Sequence, residues 1–186
     1  LAPFLLPRFI KRFTEKYPAV TLQIDELTTD NIVESLREDR LDLGLLVTPL
    51  HHQDLLETPL FHEEMFIYAS PGHPLLKTQK VAEKSLVSSD VYLLSEGHCF
   101  RDQVLNLCRA KGSKLKRNIV FERGSLQTLK RLVDETAGYT ILPRLAADDL
   151  LSGKSEHDRL RTFVEPVPVR EVSLISHSGF VKTKLT

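Results

Sequence analysis

The sequence lacks the features of secreted, membrane-embedded and nucleic-acid-binding chains. It has two cysteines in 186 residues, which is too few for a secreted disulfide scaffold. Its 25 basic residues balance 25 acidic ones, so the charge gives no footprint for DNA. No segment approaches the roughly 18 apolar residues of a membrane span, and the first residues do not form a signal peptide. We therefore expect a cytoplasmic chain with no membrane partner, in which a disulfide would be transient and redox-sensing.

Catalytic and cofactor motifs are also missing. No glycine-rich loop has phosphate-binding spacing, and no serine lies in a nucleophile elbow. His51 and His52 are adjacent, but a metal site would need further ligands at workable spacing. We expect neither a metal ion nor another cofactor.

The pattern of apolar residues predicts alternating helices and strands. Predicted helices lie at 4–17, from 28 onward, at 81–86, from 101 onward, at 126–133 with Ser125 as its cap, and at 143–151. Predicted strands lie at 20–24, 41–47, 65–69, 91–94, 119–121, 139–142, 160–164 and 169–175. We place Pro7 in the first turn of the first helix, where proline is tolerated. This alternation is typical of the α/β class, and the length leaves room for one large domain or two small ones.

Both cysteines lie in one short stretch, 97–108, which also holds the densest cluster of chemically useful side chains. Cys99 falls at or just before the first turn of the helix predicted from Arg101. The free N–H groups and the positive dipole end of that turn favour a thiolate, which is the nucleophilic form. His98 and Arg101 would add positive charge, and Asp102 is a proton donor or acceptor, or a helix cap.

The spacing of the two cysteines sets a limit on their pairing. Cys108 falls on the apolar face of the predicted helix, together with Val104 and Leu105. Along a continuous helix, Cys108 would lie about 13.5 Å above Cys99 and roughly 180° away from it. A disulfide needs Cα atoms within about 7 Å. Either the cysteines never pair, with Cys108 a buried core thiol and Cys99 inert, or pairing remodels the helix.

The motif Gly-His-Cys-Phe-Arg-Asp-Gln at 97–103, with a second cysteine nine positions after Cys99, resembles the redox segment of the OxyR family. OxyR proteins are the peroxide-sensing members of the LysR-type transcriptional regulators. The resemblance covers nearly the whole chain, with further matching stretches at 1–7, 60–65, 72–75, 124–129 and 138–143. The last two of these mark the wider LysR-type family, whereas the paired cysteines narrow the resemblance to OxyR.

The resemblance implies two α/β lobes of periplasmic-binding-protein type with an interlobe cleft. Lobe one would comprise 1–66 plus 168–186, and lobe two, with the cysteines, would comprise 67–167. Both ends of the chain look trimmed, and the N-terminal winged helix-turn-helix domain of the family is absent from this chain.

The resemblance also implies a mechanism and a set of site residues. Hydrogen peroxide would oxidise Cys99, the peroxidatic cysteine, to a sulfenic acid, and Cys108, the resolving cysteine, would then close a reversible disulfide. The peroxide pocket would be formed by five further residues, namely Thr29, His98, Arg101, Asp102 and Arg170. From the residue pattern alone, Thr29 is a helix cap and Arg170 is a solvated strand residue.

The implied partners follow from the same resemblance. They are hydrogen peroxide, a homodimer or homotetramer, cellular disulfide reductants, and promoter DNA through the missing N-terminal domain only. Such a chain is a regulator and not an enzyme. Two alternatives stay open: a thiol peroxidase that uses the same cysteine pair, and a LysR-type domain that senses a small metabolite in the interlobe cleft.

Overall fold

The computed structural model describes residues 1–87, 90–93, 104, 107, 125–152 and 157–179. Its named α-helices are α1 (Ala2–Lys16), α2 (Thr29–Arg37), α3 (Leu126–Glu135) and α4 (Arg144–Ser152). Its strands are β1 (Gly44–Thr48), β2 (Leu55–Ala69), β3 (Lys80–Val81), β4 (Tyr139–Pro143), β5 (Leu160–Phe163) and β6 (Val169–His177). Short 3-10 helices lie at Pro74–Lys77, Glu83–Ser85 and His157–Arg159. The mixture of helices and strands confirms the predicted α/β class.

The chain divides into two compact units. Unit one comprises Leu1–His62 and Glu171–Thr186, and unit two comprises Glu63–Arg170. The chain therefore passes from one unit to the other twice, within β2 and within β6. The lobes predicted from the sequence differ from these units by a few residues at each crossing.

Helix α1 of unit one begins earlier than predicted. Pro3 occupies its first turn and Pro7 lies inside the helix, so the prediction that Pro7 belongs to the first turn is wrong. Proline at the start needs no hydrogen-bond partner for its missing N–H. The Leu1 carbonyl accepts the amides of Phe4 and Leu5 at 3.1 and 3.0 Å and closes the turn. The helix itself is confirmed.

The apolar stripe of α1 is only partly covered, because its side chains are half-buried. No side chain of this helix is buried, although Leu6, Phe9, Ile10 and Phe13 lie along one face. The segment that follows is also open, because Val20 keeps 50% of its surface exposed and Ile24 keeps 41%. The strand predicted at 20–24 is wrong, since the structure assigns no strand between 17 and 28.

The core of unit one forms where α2 packs on β1 and β6. Strand β1 pairs antiparallel with β6, from Gly44 opposite Ile175 to Thr48 opposite Glu171. A Cβ atom on Gly44 would lie 2.7 Å from Cγ2 of Ile32, so glycine allows α2 to approach the strand. Five buried side chains fill the space between the helix and the strands, namely Val33, Leu36, Leu46, Leu55 and Ile175.

Unit two is built around the C-terminal half of β2. That half pairs antiparallel with β4, from Met65 opposite Pro143 to Ala69 opposite Tyr139. It also pairs antiparallel with β5, whose Phe163 lies opposite Val81 of β3 in a parallel ladder. The central side chains are fully buried, as Ile67, Tyr68, Ala69, Tyr139, Ile141 and Phe163 show 0% exposure.

Most predicted elements of unit two agree with the structure. Ser125 caps α3 as predicted, with its Oγ accepting the Thr128 amide at 3.2 Å. The predicted elements at 139–142, 143–151 and 160–164 correspond to β4, α4 and β5. The helix predicted at 81–86 is wrong, because Val81 takes part in the β3 ladder and a single 3-10 turn follows it.

Within the described ranges, no helix is both long enough and apolar enough to cross a membrane.

Candidate redox site

Five of the seven predicted redox-site residues lie in the stretch 98–108. Cys99, Cys108, His98, Arg101 and Asp102 lie outside the residues that the structure describes. Their roles and the disulfide between the two cysteines therefore stay predictions.

Two residues of the predicted redox helix are described, and both are helical. Val104 keeps 1% of its surface exposed, and Leu107 is half-buried. Val104 belongs to the face that the sequence pattern assigned to the protein interior, together with Leu105 and Cys108. At these two positions the structure agrees with the helix predicted from Arg101.

Thr29 is the first residue of α2 and is half-buried. The N-cap position belongs to Thr28, whose side chain makes no capping hydrogen bond. No hydrogen bond joins the Thr29 hydroxyl to any residue in the described part of the chain. Val33 and Leu36 follow at i+4 and i+7, so Thr29 continues the helix face that carries the core of unit one. The capping role predicted from the pattern alone is therefore not what positions this hydroxyl.

Arg170 is buried, which contradicts its interpretation as a solvated strand residue. Its side chain keeps 7% of its surface exposed, and its partner Glu63 keeps 2%. Both Nε and Nη2 of Arg170 lie 2.7 Å from Oε2 of Glu63. The sequence pattern missed this pair because a charge in an alternating strand is expected to face solvent, and nothing local marks a carboxylate 107 positions away as its partner.

The second carboxylate oxygen of Glu63 accepts a hydrogen bond from the start of α4. Oε1 accepts the amide of Leu145 at 2.8 Å, in the first turn of α4. Amides in a first turn have no partner within their own helix, and a negative charge there is favourable. One side chain therefore holds both the guanidinium of Arg170 and the start of α4.

A second network in unit two joins Tyr68, Asp134, Lys130 and Arg159. Oδ1 of Asp134 accepts the Tyr68 hydroxyl at 2.6 Å and Nη1 of Arg159 at 2.7 Å. Its Oδ2 accepts Nζ of Lys130 at 3.0 Å. The guanidinium of Arg159 also stacks on the Tyr68 ring, 4.6 Å from the ring centre. These contacts tie α3 to β2 and to the start of β5.

The charges of this network keep it in one protonation state near neutral pH. Burial, with the hydrogen bond to Asp134, raises the pKa of Tyr68 to about 12. Burial also acts to raise the pKa of Asp134, but hydrogen bonds from Tyr68 and Lys130 and the nearby cations outweigh it, so that pKa is lowered. The phenol stays neutral and the carboxylate stays ionised, which suits a structural role. In the sequence, only the i, i+4 spacing of Lys130 and Asp134 on one helix face could have indicated this network.

Unit one has its own polar cluster on β1 and β6. Thr48 is 7% exposed and Ser173 is fully buried, with their hydroxyl oxygens 2.6 Å apart. Thr48 also donates to Oε1 of Glu171 at 2.6 Å, and Nε2 of His62 lies 3.3 Å from Oε2 of Glu171. The hydroxyls satisfy the inner carboxylate oxygen, which explains why they tolerate burial.

The loop before β2 is exposed and charged. His51 and His52 are both exposed, and Arg37 donates from Nε to Oδ2 of Asp54 at 2.6 Å. That hydrogen bond lowers the pKa of Asp54 to about 2. Across the described ranges, no three or more histidine, cysteine, aspartate or glutamate side chains are placed to hold a metal ion.

Comparison with known proteins gives the family context. A family model described as the LysR substrate binding domain matches residues 1–185. A probable hydrogen peroxide-inducible genes activator of Mycobacterium leprae is 33% identical over 180 residues, which cover 96% of this chain and 57% of that protein. The chain thus spans little more than half the length of that relative.

Two solved structures extend the comparison to the fold. An OxyR mutant from Porphyromonas gingivalis gives a TM-score of 0.88 at 28% identity, over 100% of this chain and 84% of that chain. The reduced OxyR regulatory domain from Pseudomonas aeruginosa gives a TM-score of 0.83 at 30% identity, over 100% of this chain and 88% of that chain. These likenesses confirm the α/β fold of periplasmic-binding-protein type.

Proposed function

Since the chain belongs to the LysR substrate binding domain family, we propose that it is the hydrogen-peroxide-sensing regulatory domain of a transcriptional activator. One observation carries the proposal. The motif at 97–103 and the second cysteine, Cys108, occur in a chain that is similar over its whole length to OxyR regulatory domains. The relative from Mycobacterium leprae is itself named a peroxide-inducible genes activator.

The proposed reaction begins at Cys99. Its thiolate attacks one oxygen of hydrogen peroxide, the O–O bond breaks, and the sulfur becomes a sulfenic acid. The leaving hydroxide accepts a proton from solvent, which Asp102, Thr29 or an ordered water relays, and departs as water.

The second step closes a disulfide. The Cys108 thiol attacks the sulfenic sulfur, the S–O bond breaks, and a second water leaves. Along the continuous helix that the apolar pattern predicts, the two cysteines would stay apart until the segment between them unwinds. Val104, which lies between them, is almost completely buried, so the closing of the disulfide has to displace a core side chain. This supports a coupling of oxidation to the packing of unit two.

The domain then signals through assembly. The partly exposed apolar stripe of α1 and the exposed side chains after it favour a second copy as partner, giving a homodimer or homotetramer. Promoter DNA would be bound by a part of the longer protein outside this chain, in the cytoplasm. Cellular disulfide reductants would reset the switch. The similarity to relatives named peroxide-inducible genes activators supports a regulator rather than a peroxidase.

The test is a count of free thiols and an intact mass, before and after one equivalent of hydrogen peroxide. We expect the mass to fall by two hydrogens and both thiols to disappear within a single chain. Cys108→Ser should stop at the sulfenic acid, and Cys99→Ser should keep its thiol. If both thiols of the wild-type chain survive, the proposal is wrong and the metabolite-sensing alternative gains support. Rapid multiple turnovers with a thiol reductant would instead favour a peroxidase.

A further inference from the structure

Two charged side chains of unit two are buried together. Among the residues that the structure describes, Glu63 and Arg170 are the only charged residues in the buried class, with 3% and 8% of their surfaces exposed. Burial of a charge is costly unless the charge is paired and hydrogen-bonded. Removal of either partner would leave the other charge buried and unpaired, so the place of each side chain depends on the other.

The sheet register places this pair. Met65 of β2 lies opposite Pro143 of β4, and its amide donates to the Pro168 carbonyl at 2.9 Å. Two residues earlier in the same strand, Glu63 reaches the amide of Leu145 on one side and the guanidinium of Arg170 on the other. Each of these partners lies two positions beyond the residue that Met65 contacts. The side chain of Glu63 thus makes, with α4 and with β6, the contacts that backbone pairing makes at Met65.

The two carboxylate oxygens of Glu63 bind different partners. Oε2 binds Nε and Nη2 of Arg170, which fixes the plane of the guanidinium as well as its position. Oε1 binds the Leu145 amide, which prevents the carboxylate from rotating with the arginine. The direction of Arg170 is therefore set relative to helix α4 and not only relative to β2.

We propose that Glu63 is the positioning residue for Arg170 in the peroxide pocket. Glu63 holds the arginine in its buried place by binding the start of α4 with its other oxygen. The inference rests on the proposed function, because it is there that Arg170 is assigned to the pocket. Without the carboxylate, the guanidinium loses the contact that fixes its plane relative to α4, and we expect it to stabilise the thiolate and the leaving hydroxide less well.

The first arm of the test does not use peroxide. In the reduced chain labelled with ¹⁵N-arginine, the Nε–Hε signal of Arg170 is identified by its loss in Arg170→Lys. Glu63→Gln should move the chemical shift of that signal toward the values of solvent-exposed arginines. It should also increase the hydrogen-exchange rate of the Leu145 amide. The matched control is Glu64→Gln, since Glu64 is the next residue of β2 and pairs with exposed Arg144 at 3.7 Å. The control should leave both readouts unchanged.

The second arm measures the rate constant for oxidation of Cys99 by hydrogen peroxide. Glu63→Gln should slow oxidation roughly tenfold or more when Arg170 is present, because a preorganised charge is lost. In an Arg170→Gln background the same change should alter the rate by less than about twofold, because the two residues act through one contact. Should Glu63→Gln fail to fold, Glu63→Asp keeps the charge, shortens the reach by one methylene, and takes its place in both arms.

The outcomes separate this inference from the proposed function. If the Arg170 signal and the Leu145 protection do not change in Glu63→Gln, the positioning role is wrong whatever peroxide does. Equal slowing by Glu63→Gln with and without Arg170 also overturns it, because a merely structural defect acts in both backgrounds. If wild-type Cys99 does not react at all, the proposed function fails, and the first arm still decides whether Glu63 positions Arg170.

Discussion

Unit two and the start of unit one differ in which kinds of side chain they bury. In unit two, the charged side chains of Glu63 and Arg170 are buried and paired, and the half-buried Asp134 pairs with Arg159. In the first 28 residues of unit one, the apolar side chains of α1 are at most half-buried, and Val20 and Ile24 after it are exposed. Unit two satisfies its groups within the single chain, whereas the start of unit one leaves apolar surface for something else to cover. We therefore expect the described part of unit two to be stable by itself and the start of unit one to bind a partner.

The largest expected effect concerns the buried pair. Glu63→Ala removes the carboxylate from a buried guanidinium and from a helix start, so we expect a loss of about 3–5 kcal/mol in the free energy of unfolding. Glu64→Ala removes one member of the exposed pair with Arg144 and should cost only about 0–1 kcal/mol. Urea titration of the reduced variants measures both losses. Similar losses for the two variants would contradict the claim that the buried pair matters more for stability than the exposed pair.

A smaller effect is expected at the tyrosine network. Asp134→Asn removes a charged acceptor shared by Tyr68, Lys130 and Arg159, at an expected cost of about 1.5–3 kcal/mol. Because folding lowers the pKa of Asp134, its contribution is complete above the ordinary pKa of about 3.9 and is lost as the pH falls through the lower folded value. The stability difference between wild type and variant should therefore shrink below pH of about 4. A difference that grows on acidification would contradict the assignment of charge.

The smallest effect on stability is expected on the α1 face. Phe13→Glu should change the free energy of unfolding by about 1 kcal/mol or less, because this residue is only half-buried in the chain. It should nevertheless shift the sedimentation of the chain from oligomer to monomer. Lys11→Gln, on the exposed side of the same helix, is the control and should leave the assembly intact. An unchanged oligomer in Phe13→Glu would mean that the stripe is not the interface.

The sequence predicted those elements whose signals are local. Ser125 and the apolar positions Leu129 and Val133 predicted helix α3, because a cap and a helical period are properties of neighbouring residues. The strand expected at 20–24 was wrong, because alternation identifies a strand only when a neighbouring strand is available to pair with it. Among the described residues no such neighbour exists for this segment.

The candidate site shows the same limit. The motif around Cys99 was visible in the sequence, since its residues are consecutive. The burial of Arg170 was not visible, since it depends on Glu63, which reaches it only through the pairing of β2. Polar partners that tertiary structure brings together leave little trace in the order of residues, and these partners decide which charges can be buried.

The central claim is that the Cys99–Cys108 disulfide can close only when the helix between them opens. It is tested most directly by hydrogen exchange of the peptide that contains Val104 and Leu107, in the reduced chain and in the chain oxidised by one equivalent of peroxide. Cys108→Ser treated in the same way controls for oxidation without closure. We expect strong protection in the reduced chain, which is retained in Cys108→Ser and lost in the oxidised wild type. A disulfide that forms while the amides of Val104 and Leu107 keep their protection would contradict the account.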